Sequence, residues 1–188
     1  MNDGRLRTIR AELTSSMLPA AAIDGGCPES VLEEIRCAAQ KARFARFDLA
    51  HRGRYEISND VPPPAAVAGL TEIVASCAGE ALRIAMHRWV RLRRGDYELV
   101  RNDAERLDRL APRGLDVIVD LSETGSDEAE VVFTHRGQAF FTVSQRPGML
   151  AIVARRPTVQ RYARYLTHRL GDREVLRLEL GYLPSRAD

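Results

Sequence analysis

Residues 89–103, WVRLRRGDYELVRND, decide how the rest of the chain is read. The first part is strand-like, with Trp89 or Val90 and then Leu92 supplying an apolar side among arginines, and Gly95-Asp96 reads as a turn. Beyond the turn come Arg101, Asn102 and Asp103. On an extended strand residues i and i+2 face the same side, so Arg101 and Asp103 point together. Arginine is always protonated and offers no lone pair, so Arg101 cannot ligate a metal. Turned toward Asp103 it neutralises that carboxylate, and turned outward it leaves room beside it. The plainer alternative is a solvated strand end, with Asp103 opening the loop before residues 106–113.

Working outward, the hydrophobic period on the C-terminal side is that of strands. Leu82, Ile84 and Met86 lead into the quoted stretch, and residues 117–121, 131–133, 139–143, 150–153, 159–166 and 175–180 add β-rich segments. His135-Arg136-Gly137-Gln138 lies between two of them, so a hairpin is expected there. On the N-terminal side residues 28–44 carry Val31, Ile35, Ala38, Ala39 and Ala42 at helical spacing. Pro28 and Glu29 stand early and Lys41 and Arg43 late, as the helix dipole favours. Residues 65–78 form a second amphipathic pattern through Val67, Leu70, Ile73, Val74 and Cys77. Between them, residues 47–57 are strand-like and 58–64, with three consecutive prolines, form a stiff extended connection. Two helices followed by many strands give an α+β chain whose sheet-rich sandwich or barrel is buttressed by helices. Residues 1–26 are expected to be a partly ordered leader ending in the Asp24-Gly25-Gly26 turn. Residues 27–188 form a single domain, with supporting helices in 27–80 and the β-rich core in 81–188.

Composition narrows the function classes. An apolar share of 45% and a charged share of 29% describe a soluble globular chain of 188 residues with one core. No apolar run approaches the eighteen or so residues of a membrane helix. Net charge is only +2, and Lys41 is the only lysine. The basic clusters 88–94 and 155–164 are interleaved with apolar residues as strand faces are, which argues against nucleic-acid binding. Cys27, Cys37 and Cys77 form no Cys-any-any-Cys pair and are odd in number, so neither a disulfide framework nor structural zinc is expected. That usage, with no uninterrupted apolar signal core near the N-terminus, points to the cytoplasm. Hydrolase, nucleotide-loop and zincin motifs are absent from the sequence.

The order of these segments carries a resemblance. The Gly95-Asp96-Tyr97 step before Arg101-Asn102-Asp103, the strand 115–121, the loop to Ala129, the Pro147-Gly148 turn feeding an apolar strand, and the segment 163–180 are similar to the iron(II)/2-oxoglutarate oxygenases of the prolyl-hydroxylase kind. The resemblance covers roughly the last hundred residues through individually weak motifs in the right order. It implies a double-stranded β-helix, a jelly-roll or cupin-like core. It implies iron(II) on a His-any-Asp strand plus a distal histidine, and 2-oxoglutarate held by an arginine near the last strand.

The sequence departs from that pattern at the metal. Arg101 stands in the first histidine position and Asp103 in that of the carboxylate. Two registers are open downstream. If Gly171 and Arg173 match the family's Gly-any-Arg, the distal histidine position falls near Ala163. If Arg177 is the co-substrate arginine, His168 lies nine residues before it. The metal candidates are therefore Asp103 and His168, and the 2-oxoglutarate candidates are Arg173 and Arg177. A divalent ion about 4 Å from the Arg101 guanidinium would be repelled by on the order of 8 kcal/mol at an effective dielectric near 20. The expectation is a homologue with a degenerate iron site that binds a small carboxylate or a protein partner. The alternative is an active dioxygenase that uses iron(II) and 2-oxoglutarate in a rearranged site. His51, His87 and His135 are read as surface or hydrogen-bonded histidines.

Overall fold

The computed structural model describes residues 3–15, 17–100 and 114–185. Helix α2 (Glu29–Lys41) follows Pro28 and carries Glu29 in its first turn and Lys41 in its last. It buries Ile35 and Ala39 of the expected pattern together with Leu32, which lay outside it, while Val31, Ala38 and Ala42 are partly buried against the same core. Helix α3 (Pro64–Ala78) begins on a proline, where the missing N–H costs nothing. It stops at Gly79, which takes a left-handed conformation (φ 75°) and donates its N–H to Ala75 O.

The first 26 residues, expected as a partly ordered leader, contain helix α1 (Asp3–Ser15) and strand β1 (Ala20–Ile23). Tertiary contact accounts for the difference. Ile9, Ala21 and Ile23 are buried in the main core, and Arg10 donates to Ser76 O at 2.7 Å on α3. Strand β1 gains a full ladder of partners on β9.

The remaining strands are β2 (Ala45–Leu49), β3 (Gly53–Ser58), β4 (Leu82–Leu92), β5 (Tyr97–Glu98), β6 (Leu115–Asp120), β7 (Ser126–His135), β8 (Gln138–Gln145), β9 (Leu150–Ala154), β10 (Val159–Ala163) and β11 (Val175–Pro184). Residues 47–57, read as one strand, form the β2–β3 hairpin. The β7–β8 hairpin turns through Arg136 and Gly137, both at positive φ, as its tight turn requires.

The pairing is antiparallel throughout, in the order β1-β9-β6-β11-β4-β3-β5-β10-β7-β8, with β2 on β3. The long arm β1-β9-β6-β11-β4-β3 continues through β5 into the short arm β5-β10-β7-β8, and the arms close over each other as a nearly complete jelly-roll barrel. The outer face of the long arm, with Trp89, Val117, Val119, Leu150, Ile152, Leu178 and Leu180, packs with α1, α2 and α3 in the main core. Two smaller apolar clusters fill the barrel. One contains Tyr55, Val90, Leu92, Ala129, Ala163 and Val175, and the other Ile118, Val131, Phe133, Val143, Val153 and Val159. On β10 Arg161 falls between Val159 of one cluster and Ala163 of the other, so a charged layer separates them.

Candidate functional site in the barrel interior

Strand alternation selects which charges enter the barrel. On β11, Leu176, Leu178 and Leu180 face the helices, which turns Arg177 and Glu179 inward. On β6, Val117 and Val119 face the helices, which leaves Asp116, Ile118 and Asp120 inside. Arg88 enters from β4, Glu98 from β5, and Arg161 from β10. All of these charged residues are buried, as is Arg155 just past β9.

The charges form a bonded network. Glu179 Oε2 accepts from Arg88 Nε at 2.5 Å and from Arg161 Nη2 at 2.6 Å. Arg88 Nη2 also donates to Glu98 Oε1 at 2.5 Å, while Glu98 Oε2 lies 3.6 Å from Arg161 Nη2. Asp116 Oδ2 lies 3.7 Å from Arg161 Nε and 3.5 Å from Arg155 Nη1. The Arg88 guanidinium stands 5.9 Å from the centre of the Tyr55 ring.

Protonation equilibria follow these contacts. Burial is the largest influence on Arg88 and Arg161 and pulls their proton affinity down. It is outweighed by Glu179 and Glu98 around Arg88, and by Glu179 and Asp116 around Arg161, so both are held above the ordinary arginine value. Burial pushes the Tyr55 phenol up to about 12, with the Glu98 carboxylate adding to the shift. At Arg177 burial prevails over the attraction of Asp120, and its affinity is lowered. Asp120 is raised by burial, against the pull of Arg177 and of backbone N–H groups. Its oxygens accept from Ser122 N at 2.8 Å and Arg146 N at 3.0 Å.

The residues singled out from the sequence separate in space. Arg177 is 3% exposed and lies opposite Asp120 on β6 and Val90 on β4. Among the described residues it makes one side-chain hydrogen bond, to Ala129 O at 3.3 Å, and no ion pair. Arg173 does not share that face, because β11 begins only at Val175 and Arg173 lies in the irregular stretch after the Gly171-Asp172 turn. Its guanidinium donates to Leu170 O at 2.9 Å, Arg169 O at 3.2 Å and Gly125 O at 3.3 Å. Arg173 is a clamp on two loops. It borders a cleft of about 540 Å³ with Arg36, and Arg36 is likewise spent on the carbonyls of Leu121 and Ser122.

Arg101 and Asp103 lie outside the described residues. His168 is exposed in a short 3-10 turn (His168–Leu170) beyond the end of β10. Ala163, the other register's position, is buried on β10 opposite Glu98 and Val131. His51 is exposed in the β2–β3 turn. His87 Nε2 lies 3.2 Å from Asn59 O, and His135 Nδ1 lies 2.9 Å from Thr158 Oγ1, both half-exposed. These are all four histidines of the chain, and none belongs to the buried interior. Among the described residues no His, Cys, Asp or Glu side chains converge in threes as a metal-ligand set. Among the described residues the barrel interior therefore presents no imidazole to a metal, while the Arg177 guanidinium is buried within it.

Sequence reasoning reached Arg177 but passed over Arg88, Glu98, Asp116, Asp120, Arg155, Arg161 and Glu179. A signal existed in LDVIVDL and VLRLELG, where Asp116, Asp120, Arg177 and Glu179 each sit between apolar neighbours. A charge kept on a strand whose other face is wholly apolar needs a buried partner.

No family model matches the chain, and no curated protein matches it. Solved structures do. The chain is similar to SnoN, a non-heme alpha-ketoglutarate-dependent epimerase from nogalamycin biosynthesis, at a TM-score of 0.71 and 13% identity over 97% of this chain and 84% of that one. It is similar to a Pseudomonas putida prolyl-4-hydroxylase at 0.66 and 13% over 95% and 100%. It is also similar to HygX from Streptomyces hygroscopicus, solved with nickel, 2-oxoglutarate and hygromycin B, at 0.62 and 13% over 98% and 88%. Likeness at this identity is likeness of fold. The chain thus has the double-stranded β-helix fold of the iron(II)/2-oxoglutarate oxygenases.

Proposed function

We propose that this protein is a member of that fold which binds a small carboxylic acid in the barrel and does not carry out standard iron-dependent hydroxylation. The observation that carries the reading is Arg177, a buried guanidinium without an ion-pair partner among the described residues. An unpaired charge in a protein interior costs several kcal/mol in effective desolvation. A ligand carboxylate offering two oxygens to the guanidinium fork offsets that cost through two parallel charge-assisted bonds. Arg177 grips the acid, and Asp120, paired with it across the β6–β11 ladder, disfavours a second negative group nearby.

Surface chemistry supports a small ligand over nucleic acid. Many exposed arginines are already matched, among them Arg164 with Glu130 at 2.6 Å and Arg169 with Glu128 at 3.3 Å. The cysteines are free thiols, in keeping with a cytoplasmic setting, and no helix of the described residues is long and apolar enough to cross a membrane.

The second reading is an active dioxygenase in which Asp103 and His168 hold iron(II) and Arg177 or Arg173 holds 2-oxoglutarate. The overall likeness to metal- and 2-oxoglutarate-bound HygX favours it. Calorimetric titration with 2-oxoglutarate, succinate and acetate, in chelator and then anaerobically with iron(II), separates the two. The acid-binding reading expects saturation in chelator, weakened at least about tenfold (1.4 kcal/mol) in Arg177→Met. Binding that requires iron(II) and brings a visible charge-transfer band establishes the oxygenase instead. No saturation up to millimolar acid under either condition sinks both.

A further inference from the structure

We infer that the network of Arg88, Glu98, Arg161 and Glu179 is a structural cross-link that joins the two arms of the barrel and closes its interior to a metal ion. The inference does not depend on the acid-binding reading. Arg88 and Glu179 belong to the long arm, on β4 and β11, whereas Glu98 and Arg161 belong to the short arm, on β5 and β10. Two bonds span the gap directly, Arg88 Nη2 to Glu98 Oε1 at 2.5 Å and Arg161 Nη2 to Glu179 Oε2 at 2.6 Å. The Arg161–Asp116 contact adds a third tie, from β10 to β6. All four side chains are at most 8% exposed, so water screens none of these contacts appreciably.

The same bonds remove the donors a metal would need. Glu179 receives two guanidiniums on one oxygen, and Glu98 is divided between the same two arginines. A cation approaching either carboxylate meets two fixed positive charges first, with no neutral nitrogen donor among the described residues to compensate. Beside Glu98 in the sheet stands Ala163, whose methyl offers no lone pair. Within these four side chains two acids alternate with two bases.

The test uses the whole protein, purified, stripped of metal and incubated anaerobically with iron(II), manganese(II) or zinc(II) before desalting and elemental analysis. Less than about 0.1 equivalent of any metal is expected, with a melting temperature that chelator leaves unchanged. Glu179→Gln should then lower the melting temperature by roughly 10 °C, since breaking a buried pair strands its partner. Should that variant fail to fold, Arg88→Lys keeps the charge but loses the fork, and a drop of a few degrees is expected. Stoichiometric metal in the wild type, lost in Glu98→Gln or Glu179→Gln, overturns the inference, as does metal-free protein whose variants melt like the wild type. Acid binding enters none of these readouts, so failure here is separable from failure of the proposed function.

Discussion

At the scale of single residues, Arg177 and Asp120 have opposite difficulties inside the same barrel. The guanidinium has no ion-pair partner among the described residues, and the carboxylate is held by backbone N–H groups yet raised by burial. A raised carboxyl favours the folded state most when protonated. Its contribution is full below the unfolded value of about 4 and is lost as pH rises through the higher folded value. The unfolding free energy of the wild type minus that of Asp120→Asn should therefore fall as the pH rises above about 4 in urea titrations. A flat or rising difference would contradict the assignment. Cys27, pushed up to about 11 chiefly by burial, should react with a thiol reagent at neutral pH far more slowly than exposed Cys37.

At the scale of elements, the Gly95-Asp96 step does structural work. Asp96 is buried and accepts a fork from Arg46 at 2.6 and 3.0 Å, together with Arg93 N at 2.9 Å. Its backbone and that of Gly95 bond to Leu166 beyond β10, so the turn fastens β2, β4 and β10 together. Because Arg46 is about a third exposed, the discounted cost of Asp96→Asn is about 2 kcal/mol in chemical denaturation. Arg173→Ala releases three loop carbonyls and should cost about 1–2 kcal/mol. It should leave acid affinity within twofold of wild type, because Arg173 clamps loops while Arg177 faces the interior. Equal losses of affinity in the two arginine variants would return Arg173 to the binding site.

At the scale of the molecule, the barrel combines two kinds of cohesion. An apolar layer joins the long arm to three helices, and a charged layer joins the arms to each other. Salt distinguishes them from the surface pairs. Raising sodium chloride to 1 M shortens the screening length to about 3 Å, which removes exposed pairs such as Arg164–Glu130 but reaches the buried network poorly. The melting temperature should consequently change by less than about 3 °C, and a large fall would mean that the interior pairs are accessible to solvent.

The sequence by itself determined two helices, read at 28–44 and 65–78 and formed at 29–41 and 64–78, the β7–β8 hairpin and the order of the β-rich segments, because local periodicity, prolines and turn glycines act over a few residues. It also determined that few imidazoles exist to build a metal site, since four histidines are widely scattered along the chain. The order of the motifs was enough to anticipate the double-stranded β-helix. Only the tertiary structure decided which face of each strand lines the barrel. On β6 both faces are buried, so alternation reveals two sides without saying which is inside. Only the tertiary structure turned α1 and β1 from an expected leader into part of the core, through contacts with α3 and β9 that lie far along the chain. The same holds for the ionic layer. Arg88, Glu98, Arg161 and Glu179 are distant in sequence and become partners only when the arms close, because the physical meaning of a charge depends on what is buried beside it.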